Sequence, residues 1–156
     1  MGLIKSKKLI LLLHVLLGYI LYLFPFISTY LGLLILMVAT YYILSSKQYN
    51  DLMPLKFSAY IIGVEVLLRM SKSNLIWEFG KYSIIYFIIL ALLRKRFIIN
   101  LYWPILIYFI LLLPSIINVP ITSINLWRQD VSFNLSGPLC LAALVIYLYN
   151  LKLTKR

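Results

Sequence analysis

The sequence predicts an all-α fold, a polytopic helical membrane protein with about six transmembrane helices in one domain over residues 1–156. Of its residues 63% are hydrophobic and 12% are charged, whereas soluble domains average about 45–50% apolar and about 25% charged residues. The mean hydropathy of +0.98 indicates more apolar surface than a soluble fold of this length can bury. Apolar runs of near-spanning length alternate with short polar segments, which favours lipid as the solvent.

The apolar runs define six predicted spans, at residues 9–24, 27–44, 54–70, 75–93, 97–113 and 131–149. Lysines precede the first run as in a signal peptide, but no small-residue cleavage site follows it, so we expect an uncleaved first helix. Pro54 suits the first turn of the third helix. Gly80 leaves the start of the fourth helix open between residues 75 and 81.

Proline and glycine also punctuate the second half of the chain. Pro104 predicts a kink in the fifth helix and Pro114 its end. Residues 115–130 form the longest polar connection, whose isoleucines predict a course along the membrane interface. Gly137 and Pro138 are expected to interrupt the sixth helix.

The cations predict the orientation of the chain. Four of the 15 lysines and arginines fall on one side of a six-span arrangement, and the other 11 fall on the side of both termini. The positive-inside rule then places both termini in the cytoplasm. We therefore interpret the net charge of +11 as a topology signal, with membrane lipid and no nucleic acid as the expected partner.

Several chemistries are not expected from this sequence. Its single cysteine, Cys140, excludes an internal disulfide and a cysteine-based zinc site, and its single histidine, His14, excludes a histidine cluster. We see no phosphate-binding loop, dinucleotide turn or paired metal carboxylates, so we expect neither metal nor cofactor. His14 fits a hydrogen-bonded interhelical donor better than a catalytic residue.

An acid and a base interrupt the third apolar run. Glu65 and Arg69 are four residues apart and therefore share one face of the predicted helix. Charges within a membrane normally face protein or a water-filled cavity. Two interpretations are open. The pair locks the third helix into the bundle, or Glu65 orients Arg69 toward an anionic ligand at the outer face, with Ser58 and Lys72 extending the stripe.

Two further charged segments are predicted at the outer face. Glu78 and Lys81 flank Gly80, and they are either an interfacial turn beside a Trp77 anchor or the polar rim of a cavity shared with Arg69 and Lys72. Arg128 and Asp130 precede the sixth predicted helix. Either Asp130 caps this helix, or its N-terminus and Arg128 attract an anion.

These polar residues resemble a known family. The segments Ile62-Gly63-Val64-Glu65-Val66-Leu67-Leu68-Arg69-Met70, Trp77-Glu78-Phe79-Gly80-Lys81-Tyr82, Arg128-Gln129-Asp130 and Phe133-Asn134-Leu135-Ser136-Gly137-Pro138 resemble the N-terminal half of O-antigen ligase and O-antigen polymerase-like membrane proteins. The resemblance covers roughly residues 60–141.

The resemblance implies a glycosyltransferase of a bacterial inner membrane, with ten to twelve spans, that takes a glycan from a polyprenyl diphosphate carrier at the outer face for lipopolysaccharide or related polysaccharide biosynthesis. Members carry a large outer loop with catalytic Arg and His residues in their C-terminal half. This sequence has neither, so we expect a partial protein whose missing half or partner subunit supplies catalysis. Catalytic residues are therefore not assigned. The candidate donor-binding residues are Arg69, Lys72, Lys81 and Arg128, and the orienting or structural residues are Glu65, Glu78 and Asp130.

A second function remains open at this stage. The chain also fits a non-enzymatic six-helix membrane carrier or an assembly partner of another membrane protein. Folding and transport by this chain alone would favour that interpretation.

Overall fold

The computed structural model describes residues 2–45, 51–95, 102–117 and 124–154. Within these ranges the chain is all-helical, with six α-helices and no strand. The helices are α1 (Gly2–Leu23), α2 (Pro25–Ser45), α3 (Met53–Met70), α4 (Phe79–Lys95), α5 (Trp103–Ile117) and α6 (Ile124–Thr154). The all-α prediction is therefore confirmed.

Helix α4 is the centre of the bundle and contacts α2, α3 and α6. Helix α1 packs on α2, and α5 packs on α6. The apolar core lies among the four inner helices and includes Ile61 and Leu68 of α3, Phe87 and Ile88 of α4, and Tyr147 of α6. On each helix these side chains lie on the face that is turned toward the other helices. Burial of their apolar surface stabilises the packing of the helices.

Contacts at opposite ends of the bundle fix the directions of the inner helices. At the end that carries the turn 71–78, here called the turn end, the backbone N–H of Asn74 donates to Thr29 Oγ1 of α2 at 3.0 Å. At the other end, called the terminal end, the Tyr147 hydroxyl donates to the Asp51 carbonyl at 2.8 Å. Arg94 likewise donates to the carbonyl of Ile43 there. Helices α2, α4 and α6 therefore run from the turn end to the terminal end, and α3 runs the opposite way.

A hydrogen-bonded cap ends α3 at the turn end. The N–H of Lys72 donates to the Arg69 carbonyl at 3.1 Å, and the N–H of Ser73 donates to the Leu68 carbonyl at 3.2 Å. This pair of bonds is a Schellman motif, which requires a left-handed residue after the helix. Lys72 takes that conformation, with φ of 53°, where glycine is usual.

The structure settles the open start of α4 and corrects both ends of the fifth helix. Helix α4 begins at Phe79, between the two starts that the sequence left open. Helix α5 begins at Trp103, so Pro104 lies in its first turn and makes no kink, and Pro114 lies inside the helix. The predicted start of this span, residues 97–101, falls outside the described residues.

The sixth predicted span differs most from the structure. Helix α6 begins at Ile124 and continues through Gly137 and Pro138 to Thr154, so the predicted connection at 124–130 and the predicted interruption are both wrong. Residues 124–130 contain no glycine or proline, and polarity alone does not stop a helix. Pro138 removes one hydrogen bond of the helix. Ser136 and Cys140, on either side of it, are both buried, so packing holds this part of α6 in place.

Within the described residues, two helical segments are long and apolar enough to cross a membrane, Pro25–Ser45 and Asp130–Leu151. The segments Lys8–Leu23 and Trp103–Ser115 are apolar but shorter. Large apolar side chains are exposed along α1 and α5, among them Leu9, Leu11, Val15, Ile107 and Leu111. Contiguous exposed apolar surface of this kind marks a membrane or protein contact, so the fold supports association with a membrane.

Candidate functional site

The first element of the candidate site is the pair that Glu65 and Arg69 form on α3, here called the α3 pair. Arg69 Nη2 donates to Glu65 Oε1 at 2.7 Å, which confirms the pairing that the four-residue spacing predicts. The Glu65 side chain is 16% exposed and that of Arg69 is 41% exposed. The pair therefore lies at the edge of the bundle, with the carboxylate inward and the guanidinium outward.

The turn end holds Arg69 in a second way. Its Nη2 also donates to the Trp77 carbonyl at 2.6 Å, and its guanidinium carbon lies 4.8 Å from the centre of the Trp77 ring. Both bonds use Nη2, so Nη1 and Nε have no hydrogen-bond partner among the described residues. Arg69 is thus fixed in position while part of its donor fork stays open.

Gly80 joins the α3 pair to α4. A Cβ atom at this position would lie 2.3 Å from Glu65 Oε2 and 2.8 Å from Glu65 Cδ. The carboxylate therefore rests directly on the first turn of α4, where the helix dipole favours negative charge. Absence of a side chain at position 80 is what allows this close approach.

A second ion pair, the α4 pair, lies at the beginning of α4 and faces α6. Lys81 Nζ donates to Glu78 Oε1 at 2.9 Å and to Ser136 Oγ at 3.2 Å. Ser132 Oγ donates to Glu78 Oε2 at 3.3 Å, and the Tyr82 hydroxyl lies 2.6 Å from Ser132 Oγ. The Glu78 side chain is only 5% exposed and that of Lys81 is 35% exposed. One buried carboxylate therefore ties α4 to α6.

The surroundings of Glu78, which precedes the first residue of α4, keep its carboxyl group ionised. Burial raises the pKa of Glu78, but Lys81 and the hydroxyls of Ser136 and Ser132 together outweigh burial and lower the pKa below its ordinary value. Hydrogen bonds and an opposite charge both favour the carboxylate. The site therefore contains a buried negative charge with a neutralising partner.

Two predictions about these residues are corrected by the geometry. Glu78 is buried against α6, so it does not form a rim with Arg69 and Lys72. Lys72 lies in the left-handed cap after α3 rather than on the helix face that Glu65 and Arg69 share, and it is exposed. Ser58 is buried on α3 and donates to the Pro54 carbonyl at 2.8 Å.

The structure moves the start of the sixth helix away from Asp130, whereas an anion contact by Arg128 stays a prediction. Asp130 is exposed within α6 and does not cap it, because the helix already begins at Ile124. The N–H groups near Arg128 therefore belong to the helix rather than to its free end. The backbone of Arg128 lies one turn from Ser132, and its side chain falls outside the described part of the chain.

The sequence left the partners on α6 unrecognised. Ser132 and Ser136 are four residues apart and so lie on one helix face, which is the available signal for a polar stripe. The Trp77 carbonyl and the aromatic face of Phe133, 5.3 Å from Lys81 Nζ, have no sequence signal because tertiary packing brings them to the site.

His14 occupies a separate place between α1 and α3. Its Nδ1 lies 2.8 Å from the Ile10 carbonyl and its Nε2 lies 3.5 Å from the Tyr60 hydroxyl. His14 and Tyr60 line a mostly apolar groove of ≈ 430 Å³. Because a carbonyl only accepts, Nδ1 donates within α1, and the predicted role of His14 as an interhelical donor stays a prediction. No group of metal-ligating side chains is found among the residues that the structure describes.

Comparison of the chain with protein families, with curated proteins and with solved structures finds no match.

Proposed function

We propose that this chain is an integral protein of a bacterial inner membrane that binds the diphosphate of a polyprenyl-linked glycan at the turn end. In this proposal all six helices span the membrane, both termini are cytoplasmic and the turn end faces outward. The sequence resemblance to O-antigen ligases and polymerases supports the ligand class. The geometry of Arg69 supports the place where it binds.

The partly used guanidinium of Arg69 is the observation that carries this proposal. Glu65 and the Trp77 carbonyl both bind Nη2, so Nη1 and Nε, which meet no acceptor in the part of the chain that the structure describes, can bind another one. A guanidinium suits phosphate because its planar fork donates two hydrogen bonds at once. Lys72 is exposed two residues beyond α3 and adds positive charge beside it. Trp77, 67% exposed, suits a headgroup region, where tryptophan is enriched.

We propose that this chain alone binds the lipid-linked donor and does not transfer its glycan. Transfer needs a base within hydrogen-bond reach of the acceptor hydroxyl. At the turn end Glu65 is bonded to Arg69 and Glu78 to Lys81, so a cation already engages each of these carboxylates. Asp130 is exposed, where water competes with it. We propose that a partner subunit supplies the catalytic groups.

Retention of the lipid-linked donor by purified protein tests the proposal. Arg69→Lys keeps a positive charge near Glu65 but removes the planar fork, so it should lower retention of polyprenyl diphosphate severalfold. The matched control is Lys56→Ala, an exposed cation near the start of α3 at the terminal end, which should leave retention unchanged. Equal retention by both variants and the unmodified protein would remove the outer phosphate site.

Reporter fusions test the orientation separately. A fusion after Ser73 should report the outer side, whereas fusions after Ser45 and at the C-terminus should report the cytoplasm. An inner signal at Ser73 would contradict the proposed orientation of α3 and α4.

A non-enzymatic carrier or assembly partner is the second candidate, favoured by the pairing of Arg69 and Lys81 with acids. Paired charges of this kind also serve to lock helices, and α1 and α5 leave apolar faces exposed that another membrane protein would cover. Loss of the phosphate site in the retention test, with stable folding of the chain, would place this candidate first.

A further inference from the structure

The hydrogen bonds around Glu78 have a fixed direction. An ionised carboxylate only accepts, so Ser132 donates its one hydroxyl proton to Glu78 Oε2. The bond between Tyr82 and Ser132, at 2.6 Å, must then be donated by Tyr82. The tyrosine oxygen, whose only proton is used inward, presents only acceptor lone pairs outward.

Lys81 presents the complementary group beside it. Its ammonium has three N–H donors, and two of them bind Glu78 and Ser136. The third has no acceptor among the described residues, and the side chain is 35% exposed. Lys81 thus has one open donor and Tyr82 one open acceptor, and each group is bonded to a serine on the same face of α6, Ser136 and Ser132.

An aromatic surface flanks these two groups. The Phe133 ring lies 5.3 Å from Lys81 Nζ, and the side chain is 62% exposed. A ligand at this place therefore meets one donor, one acceptor and one apolar face. A phosphate group, which has only acceptor oxygens when ionised, would meet the lone pairs of Tyr82 unfavourably. A hydroxyl group both donates and accepts, and it fits both partners.

We infer that this face of the α4–α6 seam binds a hydroxyl-bearing sugar ring, the one attached to the diphosphate. This inference rests on the proposed function. In this inference the diphosphate binds Arg69, which offers only donors. The sugar ring binds Lys81 and Tyr82, which offer a donor and an acceptor. Arg69 donates to the carbonyl of Trp77, and Lys81 donates to the carboxylate of the next residue, Glu78. Both subsites therefore lie at the N-terminal end of α4.

Two lipids and one matched pair of variants test this division. The ligands are a polyprenyl diphosphate and the same lipid carrying a single N-acetylhexosamine, titrated against the full chain in nanodiscs. Tyr82→Phe removes the outward acceptor and keeps the ring. The control is Tyr86→Phe on the same helix, whose hydroxyl lies 3.1 Å from Thr40 Oγ1 of α2. Because an average hydrogen bond contributes modestly, Tyr82→Phe should weaken binding of the sugar-bearing lipid about three- to tenfold. The sugar-free lipid should bind as before, and Tyr86→Phe should change neither.

The outcomes separate the two proposals. If the unmodified protein binds neither lipid, the proposed function fails and the sugar subsite fails with it. If both lipids bind and Tyr82→Phe weakens them equally or not at all, the sugar subsite alone is overturned. Phe133→Leu is a second variant at an exposed position, and it should also weaken only the sugar-bearing lipid.

Discussion

The α3 pair and the α4 pair use the same chemistry in two different settings. Each consists of a carboxylate and a cation three or four residues apart, and Glu65 of the α3 pair lies against Gly80, between Glu78 and Lys81 in the sequence. The α3 pair lies at the bundle edge, with Arg69 41% exposed and a carbonyl as its second acceptor. The α4 pair has its carboxylate 5% exposed and bonded to α6. Because an unpaired charge costs more when it is buried, we expect removal of one partner to cost more in the α4 pair than in the α3 pair.

The largest expected effect is loss of the acid in the α4 pair. Glu78→Gln leaves Lys81 without its anionic partner and weakens the Ser132 bond, and removing one partner of a buried pair costs about 3–5 kcal/mol. Partial exposure of Lys81 places the expected cost at the lower end of that range. Thermal unfolding in detergent should show a large fall in midpoint, and membrane expression should fall with it.

The matching control removes both charges. Glu78→Gln with Lys81→Met should recover part of the lost stability, because replacement of both partners by uncharged residues can be nearly neutral. A double variant as unstable as the sum of the two single variants would show that these residues do not act as a pair.

Gly80→Ala tests the contact between the two pairs and should have the next largest effect. A methyl group there would overlap Glu65 Oε2 and lie 2.8 Å from Glu65 Cδ, so the carboxylate must shift from its position beside Arg69. We expect a loss of about 1–3 kcal/mol, as for other overpacked sites. The loss should be smaller when Glu65 is already alanine.

Gly63→Ala on α3 is the control for the effect of replacing a helical glycine by alanine where no atom is overlapped. A Cβ atom there meets nothing within 4 Å, and alanine in a helix is favoured over glycine by roughly 0.5–1 kcal/mol. This variant should therefore raise the unfolding midpoint. A gain from both substitutions would contradict the close contact of Glu65 with Gly80.

The third effect concerns the α3 pair and should be smaller than that of Glu78→Gln. Glu65→Gln leaves Arg69 with the Trp77 carbonyl and ring and with access to solvent, so we expect a loss of about 1–2 kcal/mol, below that of a fully buried pair. Arg69→Met should cost a similar amount because Glu65 then loses its cation. The double variant should recover membrane expression, and failure to recover it would contradict the pairing.

The same comparison explains what the sequence could predict. The α3 pair was predictable because both residues lie on one helix with a spacing that brings them together. The α4 pair has a similar local signal, but Ser132 and Ser136 lie more than 50 residues away on α6, and a local pattern does not specify such a contact. The burial of Glu78 therefore followed only from the packing of α4 on α6.

Helix boundaries show the same limit. The apolar runs predicted six helices, and six are found in the described residues. The start of α6 was predicted too late because the polar residues Arg128, Gln129 and Asp130 suggested a loop. The polarity of a segment indicates whether it faces water. Helix formation depends instead on the helix propensity of its residues and on the absence of glycine and proline. A polar helical segment at the turn end satisfies both conditions.

The smallest expected effect concerns the cap that holds the turn between the two pairs. Lys72 has a left-handed backbone, with φ of 53°, which costs a non-glycine residue roughly 1–2 kcal/mol. Glycine adopts this conformation freely but loses more entropy on folding, so Lys72→Gly should raise stability by only about 0.5–1 kcal/mol. Lys72→Ala is the matched control, since it removes the same charge and keeps the backbone cost, and it should give no such gain. If alanine and glycine stabilise the chain equally, the gain comes from removing a cation beside Arg69 rather than from the backbone. Lipid retention by the same two variants then isolates the charge, because both lack the ammonium and should lose the same part of the attraction for diphosphate.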